Sequence, residues 1–233
     1  MGRYFGTDGI HGKANAGLTA ERAFVVGRYL GYYYSKTGKQ KIIIGKDTRL
    51  SSDMLENALA AGISSEGCDA YLAGYCPTPM VCYLTVHEDF AYGAMISASH
   101  NPFYDNGIKV FSKEGIKLQG EVEELIEDYI DGKETIAFKT GSEIGKVIRY
   151  DEGIEHYLDW VTKEYPLDLK DMHIAMDCSN GSASYTAARA LKKLGAEVVV
   201  KDDTPTGINI NKDCGSTHPE NFIAFMKANE GKF

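Results

Sequence analysis

Two stretches of this sequence follow one plan: a short apolar run empties into a Gly- and Ser-containing loop, and a helix-forming segment follows. They are IIIGKDTRLSS from residue 42 and IAMDCSNGSAS from residue 174, a mild internal repeat. A helix reached in this way must lay its apolar stripe on a sheet, so strands alternating with helices of about 10–15 residues restrict the chain to α/β layers. We therefore expect a layered α/β/α fold with a mixed or mostly parallel sheet, and ligand loops at the carboxyl ends of its strands.

The remaining segments fit that frame. Thr19 can cap a helix with Glu21 in its first turn, running through Phe24, Val25 and Leu30 toward Gly38. KIII at 41–44 reads as a strand, and the helix after it starts near Ser51 or Ser52 and stops around Gly67. A second strand, 70–72, leads to GYCPTP, where Pro79 suits the first position of a helix. A third, about 92–97, enters SASHNPFYDNG, and IKVF reads as its returning strand. A helix follows from about Glu121 to Ile130, its leading acids suited to an N-terminus.

Around 131–150 the sequence turns polar and Gly-containing, with only a weak strand at Val147 and Ile148, as a connection between domains does. We place the boundary near Tyr150, giving a first domain over 1–150 and a second over 151–233. The second holds a helix with Ile154, Tyr157, Leu158, Trp160 and Val161, the strands HIAMD and EVVVK with a helix between them, and a final helix with Phe222, Phe225 and Met226. A βαβ plan ordinarily continues from such a helix to another strand, so a truncated second domain is expected.

Charge narrows the function. With 25 basic against 33 acidic side chains the formal net charge is −8, which argues against nucleic acid held by a general positive field, so anionic ligands must be held locally. No stretch approaches the roughly 18 apolar residues of a membrane span, and the opening MGRYFGTDGIHG has no signal-peptide core, so a cytoplasmic protein without a membrane partner is expected. Cys68, Cys76, Cys82, Cys178 and Cys214 are odd in number and scattered, as buried free thiols are. The run GYYYSK reads as packing, because Tyr32, Tyr33 and Tyr34 point three ways on a helix. CSNGSAS has no Lys or Arg and reads as an ordinary strand-to-helix turn, although its backbone donors could cradle a phosphate.

The segment SASHNPFYDNGIK, residues 97–109, concentrates chemistry. It offers the Ser99 hydroxyl, the His100 imidazole, the Asn101 amide, a bend at Pro102 and the Lys109 ammonium. A serine hydroxyl needs a base or a stabilising cation to act as a nucleophile, and His100 or Lys109 can supply either. A phosphorylated Ser99 would carry about −1.5 to −2 charges and require converging donors. The same residues are also turn formers, so a plain surface turn is the alternative. Neither GxSxG nor GxxxxGK[ST] occurs.

SASHNP followed by YDNGIK, with FGTDGI at 5–10, GKDTR at 45–49 and CGSTH at 214–218, resembles the α-D-phosphohexomutase superfamily, and the wording of FGTDGI and ISASHNPFYDNGIK is most similar to its phosphoglucosamine mutase branch. The resemblance runs in order along essentially the whole chain. It implies that Ser99 is a phosphoserine that gives its phosphoryl group to a hexosamine 6-phosphate and recovers one from a bisphosphate intermediate. It implies catalytic roles for Ser99, His100 and Lys109, with Lys109 the stronger candidate for general acid or base, and phosphate contacts at Arg49, His11 and Asn101. His11 stands where the family usually has arginine, replacing a permanent bidentate donor with a group charged only below about pH 6.5. Cys214 and His218 adjoin the site. In the family a magnesium ion is held by the phosphoserine and three aspartates of a DGDxDR loop, which this sequence lacks. Of the metal ligands only Ser99, through its phosphate, is therefore expected here. The implied activity is interconversion of glucosamine 6-phosphate and glucosamine 1-phosphate for UDP-N-acetylglucosamine and cell-wall precursors. The alternatives are a phosphoglucomutase or phosphomannomutase fragment and a non-catalytic fragment. A homodimer through the first domain is compatible with each, and the 233 residues alone are expected to be inactive.

Overall fold

A computed structural model describes residues 2–6, 9–118 and 120–231. Thr7 and Asp8 of FGTDGI lie outside the described residues. The first sheet takes, in chain order, β1 (Phe5–Gly6), β2 (Gly9–Lys13), β3 (Lys41–Lys46), β4 (Asp69–Tyr75), β5 (Tyr92–Ile96), β6 (Asp105–Phe111) and β7 (Val147–Arg149). Its spatial order is β1-β2-β6-β5-β3-β4-β7. The pairs β1–β2, β2–β6 and β5–β6 are antiparallel, while β5, β3, β4 and β7 run parallel, so the sheet is mixed, as expected.

Alternation along the strands sends side chains to two faces, and each face has its own apolar core. Ile42, Ile44, Ala94 and Ile96 pack under α1 (Ala20–Ser35), α2 (Ser52–Ser65) and α4 (Gly120–Ile130), whereas Ile43, Met95 and Phe111 pack under α3 (Thr78–His87). Burial on both faces is why these strands read as apolar runs without a polar face. Thr19 caps α1 by accepting from the Arg22 amide at 3.1 Å, a contact contributing about 1 kcal/mol. Pro79 falls at the second position of α3, which begins at Thr78. Helices α1 and α2 touch backbone to backbone: a Cβ on Gly27 would strike the Leu59 carbonyl, and one on Gly62 the Phe24 carbonyl.

Two segments differ from the sequence-based expectation. The Gly-rich opening forms β1 and β2, and β2 pairs with β6 so that His11 lies opposite Gly107. The polar stretch before residue 150 is more than a connection. The amides of Lys139 and Gly145 donate to Ser65 and Ser64 at the end of α2, and the weak strand becomes β7, parallel to β4 at the sheet edge.

After β7 come α5 (Gly153–Glu164), β8 (His173–Asp177), α6 (Ala187–Lys193), β9 (Glu197–Lys201) and α7 (Pro219–Ala228), with β8 and β9 pairing in parallel as a separate sheet. The helix between those strands is preceded by a 3-10 turn at Ser182–Tyr185. Helix α5 bridges the two halves, stacking Trp160 on Tyr83 of α3 at 4.6 Å. The cysteines are all free; Cys82 is half-buried and the others are buried. The three tyrosines of GYYYSK pack against the core, Tyr34 stacking on buried Tyr92 at 4.4 Å. Among the described residues no helix is long and apolar enough to cross a membrane.

Buried Glu127 of α4 holds β1 in place by accepting the amides of Tyr4 and Phe5 at 2.7 and 2.9 Å, with the Arg3 guanidinium at 3.4 Å. Burial acts to raise its pKa, but hydrogen bonds from the amides of Phe5, Tyr4 and Arg3 and from the Arg3 side chain outweigh it, so the carboxyl titrates below its ordinary 4.5. A depressed pKa stabilises the fold fully above the ordinary value and loses that stabilisation as pH falls through the native one. Glu127→Ala is expected to cost about 1–3 kcal/mol at neutral pH, with the gap to wild type narrowing below about pH 4.5. Urea denaturation across pH checks this, and a gap that widens in acid contradicts it.

Candidate active site

The parallel strand β3 ends at Lys46, and the chain leaves the sheet as Asp47-Thr48-Arg49 beside the loop that leaves β5. Asp47 and Arg49 turn inward and are almost fully buried, at 2% and 1% exposure. Arg49 Nε donates to Asp47 Oδ2 at 2.9 Å. Its Nη1 donates to the carbonyls of Pro102 and Asp105, and its Nη2 to those of Ser99 and Asn101 at 2.8 and 3.0 Å. All five N–H groups of the guanidinium are thus engaged, four of them on the backbone of a single loop. Ser52 Oγ also donates to Asp47, at 3.0 Å, and fully buried Asn106 donates to the hydroxyls of Ser51 and Ser52. The Ser99 loop therefore rests on a satisfied polar network buried between β3, α2 and β6.

Above that network Ser99 is exposed and left-handed, with φ of 53°. The other non-glycine residues with positive φ among those described are Asn or Asp, apart from Ser179. Such a backbone costs energy for a residue with a Cβ and persists where its surroundings hold it. The carbonyl bonds from Arg49 do that, with a 3.1 Å bond from the Ser99 amide to Ser97 Oγ.

Register places the other candidates. His11 pairs with Gly107 through the pairing of β2 with β6, and Lys109 lies two residues beyond Gly107 on β6, so the side chains of His11 and Lys109 leave the same sheet face. Gly107 makes room for the imidazole, since a Cβ there would collide with the His11 ring and the Ser97 carbonyl. Lys109 is half-buried, opposite Met95, and has no ion pair among the described residues. His100 is exposed and, with His218, Pro102, Phe103, Ile208 and Asn211, lines a cavity of about 550 Å³. Asn101 is tied within the loop, its Nδ2 donating to Asp105 Oδ2 at 3.2 Å.

The structure assigns Arg49 differently from the expectation that it contacts phosphate. Its donors are spent on Asp47 and on four carbonyls, so it shapes the loop that carries Ser99. Lys46 of the same motif faces away, to Glu56 at 2.5 Å and Asp53 at 2.6 Å. Burial works to lower the Lys46 pKa, but those two carboxylates leave it raised, while burial pushes Glu56 up.

The loop read as an ordinary turn, CSNGSAS, proves to be the anchor of the second half. Asn180 Oδ1 accepts the Thr204 amide at 3.1 Å, the Ser179 carbonyl accepts the Asn211 amide at 3.0 Å, and the Asn180 carbonyl accepts Thr48 Oγ1 at 2.6 Å. Sequence reasoning missed Asp47, Ser52, Asn106 and Asn211. Asp47 stands in a motif it quoted, but the partners of Asn106 and Asn211 lie far along the chain.

A magnesium ion takes about six hard oxygens in near-octahedral array. At the Ser99 loop the only carboxylate within the loop is Asp105, already used by Asn101. The one cluster with metal-ligand spacing among the described residues is Asp177, Asp202 and Cys214, away from Ser99 in sequence and chemistry. Burial, with the charges of Asp202 and Asp177, pushes the Cys214 thiol to about 11, and Lys201 already pairs with Asp202. A soft, protonated thiol beside a resident ammonium does not make a magnesium site. Among the described residues none form the shell that such an ion needs.

A family model of the phosphoglucomutase/phosphomannomutase α/β/α domain I matches residues 2–137. The chain belongs to the phosphoglucomutase/phosphomannomutase family. Within that family it is 49% identical over 227 residues to a phosphoglucosamine mutase of Lachnoclostridium phytofermentans, covering 97% of this chain and 51% of that protein. A phosphoglucosamine mutase of Clostridium novyi is 46% identical over 228 residues, with the same shares covered. The solved structure of a phosphoglucomutase/phosphomannomutase family protein from Burkholderia thailandensis superposes with a TM-score of 0.80 at 27% identity, over 97% of this chain and 50% of that one. The chain spans about half the length of the curated relatives it matches.

Removing the guanidinium would strand the buried Asp47 charge and four carbonyls. Arg49→Met is expected to cost about 3–5 kcal/mol, and pairing it with Asp47→Asn to recover part of that loss. Chemical denaturation reads the cycle, while hydrogen exchange at 98–106 should quicken in the single variant. A loss under 1 kcal/mol would contradict the bracing role.

Proposed function

We propose that this chain carries the phosphoryl relay of a hexosamine phosphate isomerase, with Ser99 as the carrier. The observation that bears most weight is the exposed Ser99 hydroxyl on a left-handed turn that Arg49 braces from below. The relatives that are 46–49% identical carry the name phosphoglucosamine mutase, which favours glucosamine 6-phosphate and glucosamine 1-phosphate as the interconverted pair.

In this reading phosphoserine 99 gives its phosphoryl group to a free hydroxyl of the sugar monophosphate. The O–P bond at Ser99 breaks as one forms at the sugar, the sugar hydroxyl loses its proton, and the serine oxygen regains one. The resulting bisphosphate returns its other phosphoryl group to Ser99. Lys109 and His100 are the groups we assign to proton movement, and His11 and Asn101 to phosphate contact. Phosphoryl transfer depends on positioning and on stabilising charge, which a braced loop beside cationic side chains supports. Phosphorylation of Ser99 and a magnesium ion are the cofactors the reading implies. No step is assigned to the ion, because the described residues do not supply its carboxylate shell. We further propose a domain division near residue 150, where the first sheet ends with Arg149, together with a cytoplasmic location, no nucleic-acid or membrane partner, and a homodimer through the first domain.

Intact-mass measurement on the protein from its native host should find one added phosphoryl group that disappears in Ser99→Ala, and unmodified Ser99 would sink the reading. In that protein Lys109→Met should lower kcat about 10²–10⁴-fold with little change in KM. The 233 residues alone should show negligible turnover in a coupled assay.

A further inference from the structure

The carbonyls of Ser99 and Asn101 each accept two hydrogen bonds, one from Arg49 and one from Asn211 Nδ2, at 2.9 and 3.0 Å. Asn211 belongs to the long loop after β9, more than a hundred residues from Ser99. One amide therefore spends both its N–H groups on the carbonyls of the two residues that flank His100. Its own backbone is left-handed, with φ of 58°, and is fixed by the bond from its amide to the Ser179 carbonyl. Asn180, next in that turn, accepts Thr48 Oγ1 through its carbonyl, so the same turn that sets Asn211 also grips the segment bearing Arg49.

We propose that Asn211 is a positioning residue for phosphoryl transfer at Ser99: docking of the loop after β9 completes the turn that aims the serine oxygen. The proposal rests on the reading of Ser99 as the phosphoryl carrier. The side-chain amide of Asn211 donates to backbone oxygens of the Ser99 loop, so its effect is expected to fall on the geometry of the nucleophile and to leave substrate affinity alone.

The test uses the protein as its native host makes it, with substitutions at the chromosomal locus. Asn211→Gly removes the amide while tolerating the left-handed backbone, and Asn211→Asp keeps the shape but sets a carboxylate against two carbonyl oxygens. Dephosphorylated protein is recharged with a hexose 1,6-bisphosphate and the phosphorylated fraction followed by intact mass. Each variant is expected to lower the saturating charging rate about tenfold or more, with the half-saturating concentration within about twofold of wild type. Equal saturating rates in wild type and both variants would overturn the proposal while leaving Ser99 as carrier. A loss confined to half-saturation would also overturn it, since that marks substrate contact. Failure of the wild type to charge, with Ser99→Ala as control, removes the carrier reading and this proposal with it.

Discussion

The buried guanidinium of Arg49 is the constraint on which the site depends. Taking a charge out of water is expensive unless every donor finds an acceptor, and here Asp47 neutralises the charge while four carbonyls take the remaining N–H groups. The planar fork has fixed directions, so the loop that supplies those carbonyls has little choice of shape. The left-handed turn at Ser99 is one outcome of that restriction, which links a buried ion pair to the presentation of an exposed hydroxyl.

Residues 47–50 act alternately in two directions. Asp47 and Arg49 reach into the first half of the chain, while Thr48 Oγ1 and the Leu50 amide donate to the carbonyls of Asn180 and Gly207 in the second. A four-residue stretch of extended and turn backbone thereby joins two sheets that share no strand. Asn211 closes the circuit from the other side, on carbonyls that Arg49 already holds.

Much of this architecture was legible in the sequence, because helix caps and apolar periodicity are local. Thr19, the run at 42–44 and HIAMD identify their elements without reference to anything distant. The candidate residues around Ser99 were legible as chemistry, and His11 and Lys109 meet on one face only because β2, which the glycine-rich opening concealed, lies beside β6. What stayed hidden depends on long-range pairing. An arginine that looks ready for phosphate cannot reveal from its own neighbours that its partners are backbone oxygens some fifty residues on. Asn211 was obscured for the same reason, and the strand at 147–148 was legible only as a weak one because its pairing with β4 lies far along the chain.

The strap from residue 139 to β7 bears on how the first half behaves when separated. The segment recognisable as the family's first domain ends at residue 137, yet the strand that covers the outer side of β4 comes from 147–149. A piece cut at the shorter boundary would leave the backbone of β4 bare along its outer edge, an invitation to sheet extension between molecules. Extending such a piece through Arg149 brings its own lid to that border, and solubility on expression should follow the presence of those three residues.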